Sequence, residues 1–225
     1  MAAPTAMAVA QPGTRHLLTH MVDAALLELE GVLFDTHTVR ADSLNEALRA
    51  HGLDSLPSHD VTLRDLVALR AERAFSQRLA TRGAALRVGA RAFVDDAASQ
   101  VRLVAVTRAS RDDASTMLRL AGLSDRFAML ICAEDVLDGK PSPEGYRVAL
   151  ERLNRRRQTP AQSVLALEAD IAGIRAARAA RVRCIAVGPI EAHWAMEADA
   201  LVESLVGQTI QSLDLLSRPG QERVQ

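Results

Sequence analysis

Glu28 and Glu30 stand two positions apart at the end of the apolar run AALLEL, directly before Gly31. If the run is a strand, alternate spacing sends both carboxylates the same way, and the glycine lets the chain turn off behind them. A second apolar run, VRLVAVT, delivers Thr107 and then Arg108, where a hydroxyl and loop amides suit phosphate oxygens. Lys140 follows in DGKPSPEGY, just ahead of a helix start, and a further run ends in Glu168, Ala169 and Asp170. Brought to one edge, Glu28, Glu30, Thr107, Lys140 and Glu168 describe a site for phosphate and a divalent cation, with Asp170 adding a carboxylate. Lys140 is the only lysine, against 26 arginines. A compact, rotatable ammonium suits a crowded phosphoryl site differently from a planar guanidinium fork.

These residues need elements to carry them. Apolar runs at 24–29, 101–107, 128–133, 163–169 and 183–188 read as strands, and 110–121, 143–153 and 171–180 carry apolar residues at helical spacing. Ser110 and the Ser142-Pro143 pair are plausible helix starts. The alternation predicts a mainly parallel α/β sheet with right-handed crossovers, helices on both faces and ligands beyond the carboxyl ends of the strands. The interval 37–86 breaks the rhythm with helical segments and no convincing buried strand, so it reads as a helical lid over the strand ends. The expected organisation is a flexible lead-in at 1–22, a core domain formed by 23–36 and 87–216, a small helical cap at 37–86 and a flexible tail at 217–225.

The chain of 225 residues is long enough for one α/β domain with a small accessory unit. Only 3% of residues are aromatic against 48% hydrophobic, which fits an Ala, Leu and Val core of helices on a sheet. With 27 basic and 28 acidic residues, no overall field favours nucleic acid or an anionic membrane, and no run reaches membrane-spanning length. Cys132 and Cys184 lie in apolar stretches without CxxC spacing and read as buried thiols in a reducing cytoplasm. His37, His51, His59 and His193 share no metal-ligand spacing, although His37 opens the lid where a substrate would approach. Asp35 reads as a cap for its turn or the next helix, and Arg155, Arg156 and Arg157 as a solvated helix end.

ELEGVLFDT, VTRAS, GKPSPEGY and VLALEADIAGIRAARAARVRCIAV, in that order within about residues 23–205, resemble the four motifs of the haloacid dehalogenase superfamily of phosphohydrolases. The likeness is greatest to the subgroup with a helical cap after the first motif, which includes phosphoglycolate phosphatase and β-phosphoglucomutase. It implies a Rossmann-like parallel sheet flanked by helices, with a short cap inserted after the first strand. It also implies Glu28 as nucleophile, Glu30 as acid and base, and Lys140 in contact with both nucleophile and phosphoryl group. Thr107, Arg108 and Lys140 would bind the phosphate of a small phosphorylated metabolite, and Glu28, Glu30, Glu168 and Asp170 would surround Mg2+.

Four positions depart from the family pattern. Glutamates replace both first-motif aspartates, setting each carboxylate one methylene farther out, and a displacement of about 1 Å in near-attack geometry can lower a rate on the order of 100-fold. Ala169 replaces a metal-facing acid, which Asp170 can supply only if its loop shifts. Arg181 replaces a glycine after the helix, a matter of turn geometry. Two functions follow from the resemblance: a Mg-dependent phosphatase of small metabolites, or a catalytically inactive binding or regulatory protein, with a protein partner in the second case.

Overall fold

The computed structural model describes residues 22–155 and 157–218. The expected lead-in lies outside them except for Val22, as do Arg156 and tail residues 219–225.

In chain order the elements are β1 (Ala24–Leu27), β2 (Phe34–Asp35), α1 (His37–Ala50), α2 (Val61–Arg82), β3 (Ala85–Leu86), α3 (Ala90–Ala98), β4 (Arg102–Val106), α4 (Arg111–Leu120), β5 (Phe127–Ile131), α5 (Glu144–Asn154), β6 (Val164–Glu168), α6 (Ile171–Ala179), β7 (Arg183–Val187), α7 (Ala192–Ala195), β8 (Ala200–Val202) and α8 (Ile210–Leu216). Strands β5-β4-β1-β6-β7-β8 form a sheet in that order, with every adjacent pair parallel.

All four residues of β1 are buried, as a central strand covered on both faces must be. Its alternate side chains enter two cores. Ala25 and Leu27 pack with Phe93, Val94, Met117, Leu118, Ile210 and Leu213 from α3, α4 and α8. Ala24 and Leu26 pack with Tyr146, Ala149, Leu153, Ile174 and Ala177 from α5 and α6. The fold is therefore the Rossmann-like α/β sandwich that the alternating runs predict. Helix starts follow local chemistry: the Ser110 hydroxyl accepts from Asp113 N–H and the Asp170 carboxylate from Gly173 N–H. Arg181 adopts φ +60°, the left-handed conformation that a glycine would fill without strain.

Helices α1 and α2 form the cap, inserted between β2 and β3, with a small core of Ala47, Leu48 and Val67. The cap is joined to the sheet domain by a feature the sequence did not signal, an antiparallel ribbon pairing Phe34 with Leu86 and Asp35 with Ala85. Two residues per strand are too few to show a period. Three-residue β8 escaped notice for the same reason. No helix among the described residues is long and apolar enough to cross a membrane.

Candidate functional site

Strand register builds the centre of the site. Leu27 pairs with Ala105 on one side and with Leu167 on the other, so the next residues, Glu28, Val106 and Glu168, form a row across three adjacent strand ends. Lys140, arriving from the loop before α5, closes on that row. Its Nζ donates to Glu28 Oε2 at 2.7 Å, to the Val106 carbonyl at 2.8 Å and to Glu168 Oε1 at 2.5 Å. An ammonium has three donors, so all three are taken.

Glu28, Lys140 and Glu168 are all buried. Two carboxylates then share one cation in a medium that penalises charge. Burial, reinforced by the negative charge of Glu28 and opposed by Lys140, pushes the Glu168 carboxyl up to about 7. For Lys140, burial works against the charged form but Glu168 and Glu28 outweigh it, and the ammonium is held above its ordinary range. The Tyr146 hydroxyl donates to Glu168 Oε1, and burial holds that phenol well above its usual value. Gly173 in α6 leaves room for the Glu168 carboxylate. The remaining oxygen of Glu28, Oε1, accepts from Leu29 N–H at 2.7 Å.

Glu30 belongs to a different network. Arg40 of α1 grips it with two parallel bonds, Nη2 to Oε1 at 2.6 Å and Nε to Oε2 at 2.8 Å, and the Thr36 hydroxyl adds a third at 2.8 Å. The same guanidinium reaches Glu72 of α2 at 2.7 Å and lies 3.7 Å from the Phe75 ring centroid. Burial tends to raise the Glu30 pKa, but the Arg40 and Thr36 bonds win and hold it below the usual carboxylate range.

The other expected residues are dispersed. Thr107 is buried at the end of β4, where its hydroxyl accepts from Ala109 N–H at 3.2 Å. Arg108 pairs with Asp170 at 2.5 Å, and the second oxygen of Asp170 caps α6. Ala169 packs against the Gly31 turn, where a Cβ on the glycine would lie 2.7 Å from that of Ala169. Between cap and sheet opens a cleft of about 660 Å3 whose walls include Glu28, Glu30, Asp35, Arg40, Arg87 and Arg108.

The donors expected for Mg2+ do not assemble as a metal site. Among the described residues no three His, Cys, Asp or Glu side chains are gathered to hold an ion. Glu28 and Glu168 close on Lys140, Glu30 on Arg40, and Asp170 on Arg108 and a helix end. The residues present therefore do not fit a magnesium ion in this arrangement.

Arg40, Glu72, Arg87 and Tyr146 were absent from the expected set. Tyr146 carried a signal, being the only tyrosine and six residues after the only lysine. Arg40 and Arg87 carried none, because 26 arginines make any one of them inconspicuous.

A model of the haloacid dehalogenase-like hydrolases matches residues 22–181. The validoxylamine A 7'-phosphate phosphatase of Streptomyces hygroscopicus subsp. limoneus is 30% identical over 209 residues, covering 82% of this chain and 95% of that protein. Protein CbbY of Cereibacter sphaeroides is 25% identical over 197 residues, covering 73% and 84%. The crystal structure of CbbY from Rhodobacter sphaeroides in complex with phosphate superposes with a TM-score of 0.73 at 24% identity, covering 86% of this chain and 100% of that one.

Proposed function

The chain belongs to the haloacid dehalogenase-like hydrolase family, and from that premise we propose that its cleft binds a small phosphorylated molecule without turning it over. One observation carries this reading: Glu30, the acid and base by position, is already held through both oxygens by a cation of the protein itself, Arg40. Glu28, the nucleophile by position, accepts from Lys140 through Oε2 and from Leu29 N–H through Oε1. Glu30, with both oxygens on Arg40, stays ionised at neutral pH, which makes it a poor proton donor to a leaving group. A divalent ion would have to displace Arg40 to reach it.

What supports a phosphorylated ligand is the cleft itself, at the carboxyl edge of a parallel sheet, with three arginines among carboxylates in its walls, and relatives whose names include a phosphate-ester phosphatase. Thr107, Arg108 and Lys140 are the residues that family position assigns to phosphate.

A second reading, a working hydrolase, is favoured by the retained carboxylate of Glu28 at the end of β1 and by 30% identity to a phosphatase. It requires Arg40 to release Glu30 as the cap moves.

Restoring the shorter acids separates the two. The triple variant Glu28→Asp, Glu30→Asp, Ala169→Asp, assayed with magnesium on a panel of sugar and polyol phosphates, is expected to release inorganic phosphate where the natural chain does not. Release by the natural chain, abolished in Glu28→Gln, contradicts the proposal.

A further inference from the structure

Most cations around the cleft are spoken for. Lys140 is bound to Glu28 and Glu168, Arg40 to Glu30 and Glu72, and Arg108 to Asp170. Arg87 is different. It lines the cleft, is half-buried, and among the described residues its side chain has no ion-pair or hydrogen-bond partner.

Its position is built. The backbone N–H of Arg87 donates to the Leu33 carbonyl at 2.8 Å, extending the β2–β3 ribbon that joins cap to sheet. The guanidinium lies against Gly188, just beyond the end of β7, where a Cβ would stand 3.4 Å from Nη2. Gly188 has φ +102°, so a side chain is disfavoured there on backbone grounds as well. The fold thus clears a place for a planar cation at the carboxyl edge of the sheet and leaves its donors open to the cleft.

Resting on the reading that the cleft takes a phosphorylated ligand, we infer that Arg87 is the residue that receives the ligand's phosphate, a task the family position would give to Lys140 and Thr107. A guanidinium presents paired donors that match two phosphate oxygens, and an unpaired one gives up no internal bond on binding. Lys140 would have to break a buried contact with a carboxylate to do the same.

Isothermal titration calorimetry in phosphate-free buffer tests this, with inorganic phosphate and glucose 6-phosphate as probes. Arg87→Ala is expected to weaken both by about tenfold or more, as loss of a charge-assisted contact does, and Arg87→Lys to recover part. Because the Arg87 side chain has no hydrogen-bond or ion-pair partner among the described residues, the ligand-free melting temperature of Arg87→Ala should stay close to that of the natural chain, which separates lost binding from misfolding. Arg91→Ala, an exposed arginine outside the cleft, should bind both probes normally. Unchanged affinities in Arg87→Ala, a loss confined to glucose 6-phosphate, or no binding of either probe by the natural chain at millimolar concentration would overturn the assignment. Inorganic phosphate cannot be hydrolysed, so its affinities stand even if phosphate release from glucose 6-phosphate refutes binding without turnover.

Discussion

Gly173 and Glu168 occupy a space that only one side chain can fill: a Cβ at 173 would lie 1.9 Å from Glu168 Oε2. Helix propensity alone would make Gly173→Ala stabilising by about 1 kcal/mol. The overlap predicts the opposite, a loss of about 2 kcal/mol or more, because a buried carboxylate held by Lys140 and Tyr146 has nowhere to move. In the background of Glu168→Ala the same substitution should become neutral or stabilising. Urea unfolding of the four proteins in this cycle measures the coupling, and additive effects would contradict the packing.

Stability should also depend on pH through Glu168. Its folded pKa of about 7 lies above the ordinary 4.5, so between those values the folded protein keeps a proton that the unfolded chain has released. Stability from this group is present below about pH 4.5, declines as pH rises towards 7 and is flat beyond, with a slope on the order of 1 kcal/mol per pH unit. Glu168→Gln should remove that slope. Parallel stability curves for the two proteins between pH 4.5 and 7 would count against the buried carboxyl.

Arg40 ties the cap to the strand end. Arg40→Ala leaves Glu30 and Glu72 without their cation and strips the guanidinium from Phe75. The expected loss is about 1–3 kcal/mol, below that of a fully buried pair because Arg40 is partly exposed. Hydrogen exchange should quicken in α1 while β1, β4 and β6 keep their protection. Unaltered exchange in α1 would mean that the ion pair does not hold the cap.

The sheet was legible because each of its five longer strands is an apolar run ending in a turn or polar residue. The row of Glu28, Lys140 and Glu168 was legible in part, since motif order brings those three positions together at strand ends. The capture of Glu30 by Arg40 was not. It depends on how helix α1 turns against the end of β1, and a helix of mostly polar face residues offers no local pattern for that rotation. Arg87 was hidden for a related reason: its meaning lies in the ribbon below it and in Gly188, more than a hundred positions later. The expected magnesium set treated charge as sufficient, whereas all four of its carboxylates face arginine or lysine partners, Glu28 and Glu168 sharing Lys140, Glu30 meeting Arg40 and Asp170 meeting Arg108.

Binding without turnover is tested most directly by following a phosphate monoester in the presence of the natural chain and magnesium by phosphorus NMR. The ester resonance should shift or broaden as it binds and keep its full intensity over hours, with no inorganic phosphate appearing. Growth of an inorganic phosphate signal at the expense of the ester, absent with Glu28→Gln, would contradict the central claim and make Glu28 a working nucleophile.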